Sequence, residues 1–201
     1  MTKQKLSDVA TIQAGYPFRG SIPNVPDGDA YVVQTRDIST DSKISWHSVM
    51  KTRNPNGRDG YLLKNGDILL LARGYKFIAE ALTDVPVTTI CSPHFFIIRP
   101  IKPRDLLPEF LAWQINQVPS QHYLNMAAEG SSQLSIRRSI VEALILAIPP
   151  IEQQNRLLKL DELFRQEREV LTQLQANRNK QLHVLLQDLL NTTTSGDGAS
   201  K

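Results

Sequence analysis

The sequence predicts an α+β fold, in which a mixed α/β domain spans residues 1–148 and a long helix follows it. The main observation behind this prediction is a change in character at Pro149 and Pro150. Before these prolines the chain consists of short apolar runs separated by Gly and Pro, and after them neither residue type occurs until Gly196. A length of 201 residues suits one ordinary domain with an appendage.

Three apolar runs in the first part are typical of strands. Ala30–Gln34, Ile68–Ala72 and Phe95–Arg99 are rich in Val, Ile, Leu or Phe, which favour extended structure. The segment from Trp46 to Tyr61 contains Asn-Gly and Asp-Gly pairs, which are turn signals, and we expect a loop there. These patterns do not determine the order of the strands.

Three short helices are expected in the same domain. The apolar positions of Lys5–Gln13 favour an amphipathic opening helix. Pro108–Gln117 begins with a proline, which is tolerated in the first helical turn because its missing N–H would have no partner there. Ser139–Ala143 predicts one further helical turn, which leads into the apolar run Leu144–Ile148.

Residues 149–190 are expected to form a helical arm for dimerisation and docking. From Ile151 onward apolar residues recur near heptad spacing, with a phase slip at 177–180. Forty residues give roughly 60 Å of helix, too long for the domain to cover the apolar stripe, so we expect a partner helix. A hairpin folded back at the slip is the alternative. Residues 191–201 are expected to be a disordered tail. The stripe consists of Leu157, Leu160, Phe164, Leu171, Leu174, Leu182, Leu185 and Leu189.

Composition excludes several classes of protein. No uncharged apolar stretch approaches the roughly 20 residues of a membrane span, and the N-terminal residues lack the pattern of a signal peptide. The single cysteine, Cys91, excludes an internal disulfide framework and suits a reducing compartment. We therefore expect a soluble, cytoplasmic protein without a membrane partner.

Positive charge is concentrated in one segment. The formal net charge is only +3, but from Arg36 to Lys76 there are eight Lys or Arg against four Asp or Glu. Such a local excess is what neutralisation of nucleic-acid phosphates requires. A solvated loop surface would give the same pattern, so charge alone does not decide between the two.

The patterns expected of an enzyme are missing from the sequence. Cys91 and His94 could form a nucleophile and base, but no third orienting group is evident, and a buried thiol in a strand is the simpler interpretation. The four histidines lack metal-ligand spacing, and no glycine-rich phosphate loop precedes a helix. We expect no catalytic residue, no metal and no cofactor.

One short pattern supports an alternative, a Mg²⁺-dependent nuclease. Asp27, Asp41 and Lys43 follow the spacing of a restriction-nuclease site, where carboxylates hold the metal and lysine steadies the attacking water. Both aspartates equally suit ordinary turns. A methyltransferase is not indicated, because no Asp/Asn-Pro-Pro-aromatic segment and no glycine motif for the methyl donor are present.

Four stretches in order carry a resemblance to a known family. Leu6–Ala10 leads to Gly15–Arg19, Gly66–Leu70 leads to Arg73-Gly74, Gly130–Gln133 leads to Ile136, and Ile148-Pro149-Pro150-Ile151-Glu152-Gln153-Gln154 opens the long helix. In this order they resemble the target-recognition domain and adjoining helical region of type I restriction–modification specificity (S) subunits. The likeness runs from about Lys5 to Leu190.

The resemblance implies a non-catalytic subunit that recognises double-stranded DNA. In this family separate methyltransferase (M) subunits bind the methyl donor and modify adenine, and a motor-nuclease restriction (R) subunit cleaves in some systems. The usual member has two recognition domains and two helical regions, whereas this sequence has one of each. It resembles a half-subunit or a fragment, and a homodimer through the helix would restore the usual arrangement.

Candidate DNA-contacting residues are basic, amide and hydroxyl side chains. Arg and Lys pair with guanine, and Asn or Gln with adenine, in the major groove. The candidates for base or nearby phosphate contact are Arg19, Gln34, Arg36, Lys43, Arg53, Arg58, Arg73, Tyr75 and Lys76. The candidates around the loop at Gly130 are Ser131, Ser132, Gln133, Arg137 and Arg138, the two arginines for phosphate; a helix cap is the alternative role of this loop. Gly15 and Gly74 are expected to allow turns or close approach to DNA.

For the whole chain, the alternative to a DNA-binding subunit is a coiled-coil adaptor whose globular domain binds another protein.

Overall fold

The fold is a mixed α+β domain followed by a long helix, as the sequence predicts. The computed structural model describes residues 2–38, 44–55, 59–74, 76–130 and 133–194. Within these residues, none of the helices has the length and apolar composition needed to cross a membrane. The elements in chain order are β1 (Thr2–Lys5), α1 (Leu6–Val9), β2 (Ala10–Ala14), β3 (Ala30–Val33), β4 (Met50–Thr52), β5 (Ile68–Leu71), β6 (Ala79–Ala81), β7 (Thr89–Cys91), β8 (Phe95–Pro100), α2 (Pro108–Asn116), α3 (Val118–Met126), α4 (Arg138–Glu142), β9 (Ile145–Ile148) and α5 (Ile151–Thr194).

The larger sheet has the strand order β2-β8-β5-β6, with every neighbouring pair antiparallel. All four residues of β5 are buried, which explains why its sequence is a continuous apolar run rather than an alternation. At β6 the side-chain amide of Asn116 replaces a further strand. It donates to the Ala79 carbonyl at 2.7 Å and accepts from the Ala79 N–H at 2.9 Å. The amide therefore supplies hydrogen bonds that an uncovered sheet edge would lack.

A second, three-stranded sheet shares its core with the first. Its order is β4-β3-β7, with β3 antiparallel to β4 and parallel to β7. Val33 of β3, Leu69 of β5 and Ile97 of β8 belong to one cluster of buried residues. The two sheets are thus stabilised by burial of a common apolar surface. β1 and β9 pair antiparallel as a separate two-stranded ribbon.

The opening helix is shorter than the sequence predicts. Only Leu6–Val9 is helical, and the expected helix over Lys5–Gln13 is wrong beyond Val9 because residues 10–14 form β2 along the edge of β8. Ala10 and Ile12 point inward and are buried, an alternation that fits a strand. The apolar spacing suits both structures over so few residues, and pairing with β8 decides between them.

The other predicted strands and helices of the domain agree with the structure to within a residue or two, whereas the predicted loop Trp46–Tyr61 contains β4. The predicted strands correspond to β3, β5 and β8, and the predicted helices to α2 and α4. Sequence reasoning missed β1, β4, β6, β7 and α3. Three of these are strands of three residues, too short to show a period, and their extended form depends on their neighbours.

The buried side chain of Asp67 links the turn before β5 to strand β8. The Asp67 carboxylate, 1% exposed, accepts from Arg99 Nε at 2.6 Å, from Arg99 Nη2 at 2.7 Å and from the Lys64 N–H at 2.8 Å. Arg99 Nη2 also donates to the Leu62 carbonyl at 3.2 Å. Gly66 has a φ of +84°, which favours glycine. The carboxylate therefore closes the turn before β5 and joins it to β8.

Gln154 explains part of the motif at the start of α5. This glutamine is fully buried, and its Nε2 donates to the carbonyls of Asp105 and Pro149, both at 2.8 Å. Its Oε1 accepts from the Leu107 N–H at 2.9 Å, just before α2 begins. The first turn of α5 is therefore hydrogen-bonded to the segment that starts α2.

The long helix is continuous. α5 has 44 residues, which gives about 66 Å of helix. The alternative of a hairpin at 177–180 is therefore wrong. The helix continues beyond the predicted end at Leu190 to Thr194, and residues 195–201 lie outside the described residues. The chain divides into two compact units, one ending at Arg156 and the other beginning at Leu157.

The predicted apolar stripe of α5 is largely exposed. Leu157 is half-buried, and the side chain of Leu189 lies outside the described part of the chain. The remaining members are between 45% and 60% exposed: Leu160, Phe164, Leu171, Leu174, Leu182 and Leu185. A row of exposed large apolar residues on one helix is typical of an interface.

Candidate nucleic-acid interface

Four strands of the larger sheet place their loops at one common end. In the register of this sheet Phe96 lies opposite both Ala14 and Leu70, and Leu70 lies opposite Ala79. The chain therefore leaves β2 and β5, and enters β8 and β6, at the same end. We call this the loop end of the larger sheet. Three of the predicted cations, Arg19, Arg73 and Lys76, lie in the connections at this end, and all three are exposed.

The turn between β7 and β8 is the point at which these connections meet. The Gly15 N–H donates to the Phe95 carbonyl at 2.9 Å, and the Ala72 N–H donates to the His94 carbonyl at 2.7 Å. From the smaller sheet, the Val33 carbonyl accepts from the Ser92 N–H at 2.9 Å. The Ser92–His94 turn and the adjoining Phe95 thus contact the segments that follow β2 and β5 and the last residue of β3.

Gly15 is required by this packing. A Cβ at Gly15 would lie 2.1 Å from the Ser92 carbonyl oxygen, a distance that no side chain tolerates. The close approach that we expected toward DNA is therefore an approach to the protein's own backbone. Gly74 has a φ of +143°, so its role in a turn is as expected.

Two of the motif stretches lie side by side. Arg73 forms an antiparallel β-bridge with Ser135, and Glu129 forms another with the same residue. The Gly74 N–H donates to the Leu134 carbonyl at 2.9 Å, and the Ile136 N–H donates to the Ala72 carbonyl at 3.0 Å. The described residues of this segment, 129–130 and 133–136, therefore lie beside Arg73 and are here called the 129–136 hairpin, in which Gln133 is exposed.

The arginines after the hairpin carry acidic partners. Arg137 Nη2 lies 2.7 Å from Glu129 Oε2, and Arg138 Nε lies 2.7 Å from Glu142 Oε1. Both guanidinium groups are more than half exposed. Ion pairs of this kind contribute only about 0–1 kcal/mol. A phosphate that competes for either arginine would therefore displace its carboxylate at little cost.

The predicted residues of the smaller sheet divide into two places. Gln34 and Arg36 follow β3 at the end that contacts Ser92. Gln34 is half-buried and donates to Met50 Sδ at 3.6 Å, whereas Arg36 is 63% exposed. Arg53 follows β4, whose Thr52 lies opposite Ala30. Arg53 is exposed but belongs to the opposite end of β3, so the structure separates it from the others.

Several predicted site residues fall outside the described part of the chain. They are Lys43, Arg58, Tyr75, Ser131 and Ser132. Asp41 is also outside it, so of the nuclease pattern only Asp27, an exposed residue, is described. Within residues 2–38, 44–55, 59–74, 76–130 and 133–194, no three metal-binding side chains come together as a metal site would require.

No pattern in the sequence indicates that three segments pack around the Ser92–His94 turn. In the sequence His94 is notable only as a possible base for Cys91. Cys91 itself is buried and free, as the simpler interpretation of the sequence has it. Burial raises the pKa of its thiol, and the negative charge of Asp67 raises it further.

We expect Cys91 to be unreactive in the folded protein. Because the thiolate is the reactive form and burial suppresses it, a disulfide reagent should modify Cys91 only as fast as the domain unfolds. The reagent releases a coloured thiolate when it reacts, and the absorbance of this thiolate at pH 8 measures the rate of modification. The same chain in denaturant is the control. Modification within seconds under native conditions would contradict the buried position.

The domain carries exposed cations at the loop end of its larger sheet, and the long helix carries a row of exposed apolar residues. The family model described as the type I restriction modification DNA specificity domain matches residues 1–177, and the chain belongs to this family. Its members are in general non-catalytic specificity subunits. No curated protein matches the chain.

Solved structures share the fold at low sequence identity. An HsdS subunit from Thermoanaerobacter tengcongensis matches with a TM-score of 0.70 and 21% identity, over 100% of this chain and 51% of that one. A type I restriction–modification S subunit from M. genitalium matches with a TM-score of 0.57 and 14% identity, over 85% and 40%. A chain from a structure on complex assembly and conformational transition of the type I R-M system gives 0.58 and 17%, over 98% and 46%. This chain thus spans about half the length of these proteins or less.

Proposed function

We propose that the chain is a DNA-binding specificity subunit that directs a type I restriction–modification methyltransferase to its target in the cytoplasm. The observation that carries the proposal is the loop end, where exposed Arg73 lies beside the 129–136 hairpin in a chain of this family. Exposed guanidinium groups in connections between strands suit duplex DNA, because they can reach both phosphates and base edges.

In this proposal the two parts of the chain have different tasks. Residues 1–148 form the target-recognition domain, and residues 149–190 form the arm that pairs with a second copy and docks on the M subunit. The exposed leucines of α5 support such an interface. Where the system restricts DNA, an R subunit joins the same complex. The chain contributes no catalytic group, metal or cofactor.

Co-expression with the neighbouring methyltransferase gene product tests the function directly. Methylated adenines are mapped across the genome with this chain and the methyltransferase together. The control is the methyltransferase expressed alone. A sequence motif that is methylated only when this chain is present is the expected result, and identical methylation patterns in the two strains would contradict the proposal.

We expect some arginines to contribute to sequence specificity and others only to the overall affinity for DNA. Arg36→Ala should relax specificity, with a loss of about 1–3 kcal/mol on the target and little on scrambled DNA, and Arg58→Ala should act alike. Arg137→Ala should weaken binding to both DNAs equally, because a phosphate contact carries no sequence information. Binding titrations on both duplexes measure the difference, with Arg168→Ala on α5 as the control. Equal losses on both duplexes for every variant would refute the assignment.

The leucine stripe of α5 also suits a coiled-coil adaptor whose domain binds another protein. Salt dependence separates the two functions, because phosphate contacts make the logarithm of affinity fall linearly with the logarithm of salt concentration. We expect a steep slope for binding of duplex DNA by the full chain. A failure to bind any duplex at low salt would favour the adaptor.

A further inference from the structure

The Ser92–His94 turn has no role in the function proposed above, although it lies where the connections of the loop end meet. Its backbone is hydrogen-bonded to Val33 and to Ala72. Exposed Arg73 follows Ala72 directly. The position of the turn is therefore fixed on several sides, beside one of the proposed DNA-contacting residues.

The turn contains two buried polar atoms that have no hydrogen-bond partner among the described residues. They are Ser92 Oγ, in a residue that is 2% exposed, and Nδ1 of the half-buried His94. Buried polar atoms are paired in most proteins, so each exception needs a reason. At a surface that binds a ligand, such atoms mark groups whose hydrogen bonding the protein itself does not complete.

The buried nitrogen of His94 determines what the rest of its ring can do. An N–H at Nδ1 would be a buried donor without an acceptor, which is costly. When the ring is neutral, its proton is therefore on Nε2 and its lone pair is on Nδ1. Because Nδ1 is buried, Nε2 is the ring nitrogen that remains for a hydrogen bond with a ligand.

We propose that His94 donates a hydrogen bond from Nε2 to a backbone phosphate of duplex DNA. This inference rests on the proposed DNA-binding function and adds a positioning contact to it. A phosphate oxygen accepts hydrogen bonds only, which matches the donor. Base edges lie in a major groove roughly 8.5 Å deep. A half-buried side chain cannot enter it, whereas the phosphates that border a groove can contact a recessed group. The contact is therefore independent of sequence.

A neutral donor gives this contact a distinctive signature, so binding is measured at pH 8.5, about two units above the ordinary pKa of histidine. A cation on a phosphate releases counterions, so removal of one reduces the salt slope by about one. A neutral N–H releases none. Loss of His94 should therefore weaken binding without altering the slope, whereas Arg73→Ala should weaken binding and reduce the slope.

The test uses the full chain and short duplexes of two unrelated sequences. His94→Leu removes the donor, His94→Gln retains a side-chain N–H, and His183→Gln on α5 is the control. We expect His94→Leu to lose about tenfold in affinity on both duplexes with an unchanged salt slope. His94→Gln should lose much less, and the control nothing. Unchanged affinity of His94→Leu, or a reduced slope, would overturn the contact.

Nitrogen NMR of the wild-type chain keeps the test decisive if His94→Leu does not fold. The Nε2 resonance of His94 should shift when either duplex is added, while that of His183 stays in place. No shift at His94 in a chain that binds DNA would overturn the inference but leave the proposed function standing. A chain that binds no duplex at low salt would overturn both.

Discussion

Replacement of Asp67 with alanine is expected to lower the free energy of unfolding of the domain by about 3 kcal/mol. The substitution leaves the Arg99 guanidinium without the carboxylate that accepts from both Nε and Nη2, and it leaves the Lys64 N–H without an acceptor. Removal of one partner from a buried ion pair costs roughly 3–5 kcal/mol. The lower end applies because the Arg99 side chain is 37% exposed and water solvates part of its charge.

Tryptophan fluorescence during urea unfolding measures this change, since Trp46 and Trp113 both belong to the domain. In a chain of this size the same loss corresponds to a melting temperature lower by about 6–12 °C. Arg138→Ala, which removes an exposed pair with Glu142, is the matched control and should cost less than about 1 kcal/mol. An Asp67→Ala chain as stable as the control would show that the carboxylate does not stabilise the turn before β5.

Replacement of Leu171 with lysine is expected to convert a homodimer of the full chain into monomers at micromolar concentration. Leu171 is 56% exposed on α5 and belongs to the proposed pairing stripe. In a two-fold pair the substitution occurs twice, and burial of each leucine contributes about 1.5–3 kcal/mol. The dissociation constant of the dimer should therefore rise by at least about a hundredfold.

Light scattering of the full chain over a range of concentrations measures the mass. Gln173→Lys is the control. Gln173 lies on the side of the helix away from the stripe, and its replacement by lysine adds the same charge as Leu171→Lys. A chain ending at Arg156, the last residue of the first compact unit, should also be monomeric. If the unaltered full chain is itself a monomer throughout the micromolar range, the stripe pairs with another protein, of which the M subunit is the first candidate.

A homodimer through α5 would have a consequence for the DNA target. Two identical recognition domains related by a two-fold axis contact identical half-sites in opposite orientations. We therefore expect the methylated motif to be a palindrome of two short half-sites with a gap of fixed length and free sequence. An asymmetric motif would exclude the symmetric pair even if the chain dimerises.

The parts of the molecule that depend on local pattern could be predicted from the sequence. The break at Pro149-Pro150, the continuous apolar run of β5 and the helical spacing after Ile151 each predict the element observed, because proline geometry and apolar periodicity act over a few residues. The motif stretches indicated the family, although Asp67 and Gln154 within them prove to be buried structural residues rather than candidates for DNA contact.

The residues that share a surface could not be predicted from the sequence, because they come together only in the folded chain. Arg73 and the 129–136 hairpin are some sixty residues apart in the chain but adjacent in the fold, whereas Arg36 and Arg53 are close in the chain and lie at opposite ends of β3. The length of α1 and the existence of β2 were also decided by pairing with β8. Strand pairing joins residues of any separation, and a few residues fit helix and strand about equally well, so the partner strand determines both the conformation and the neighbours.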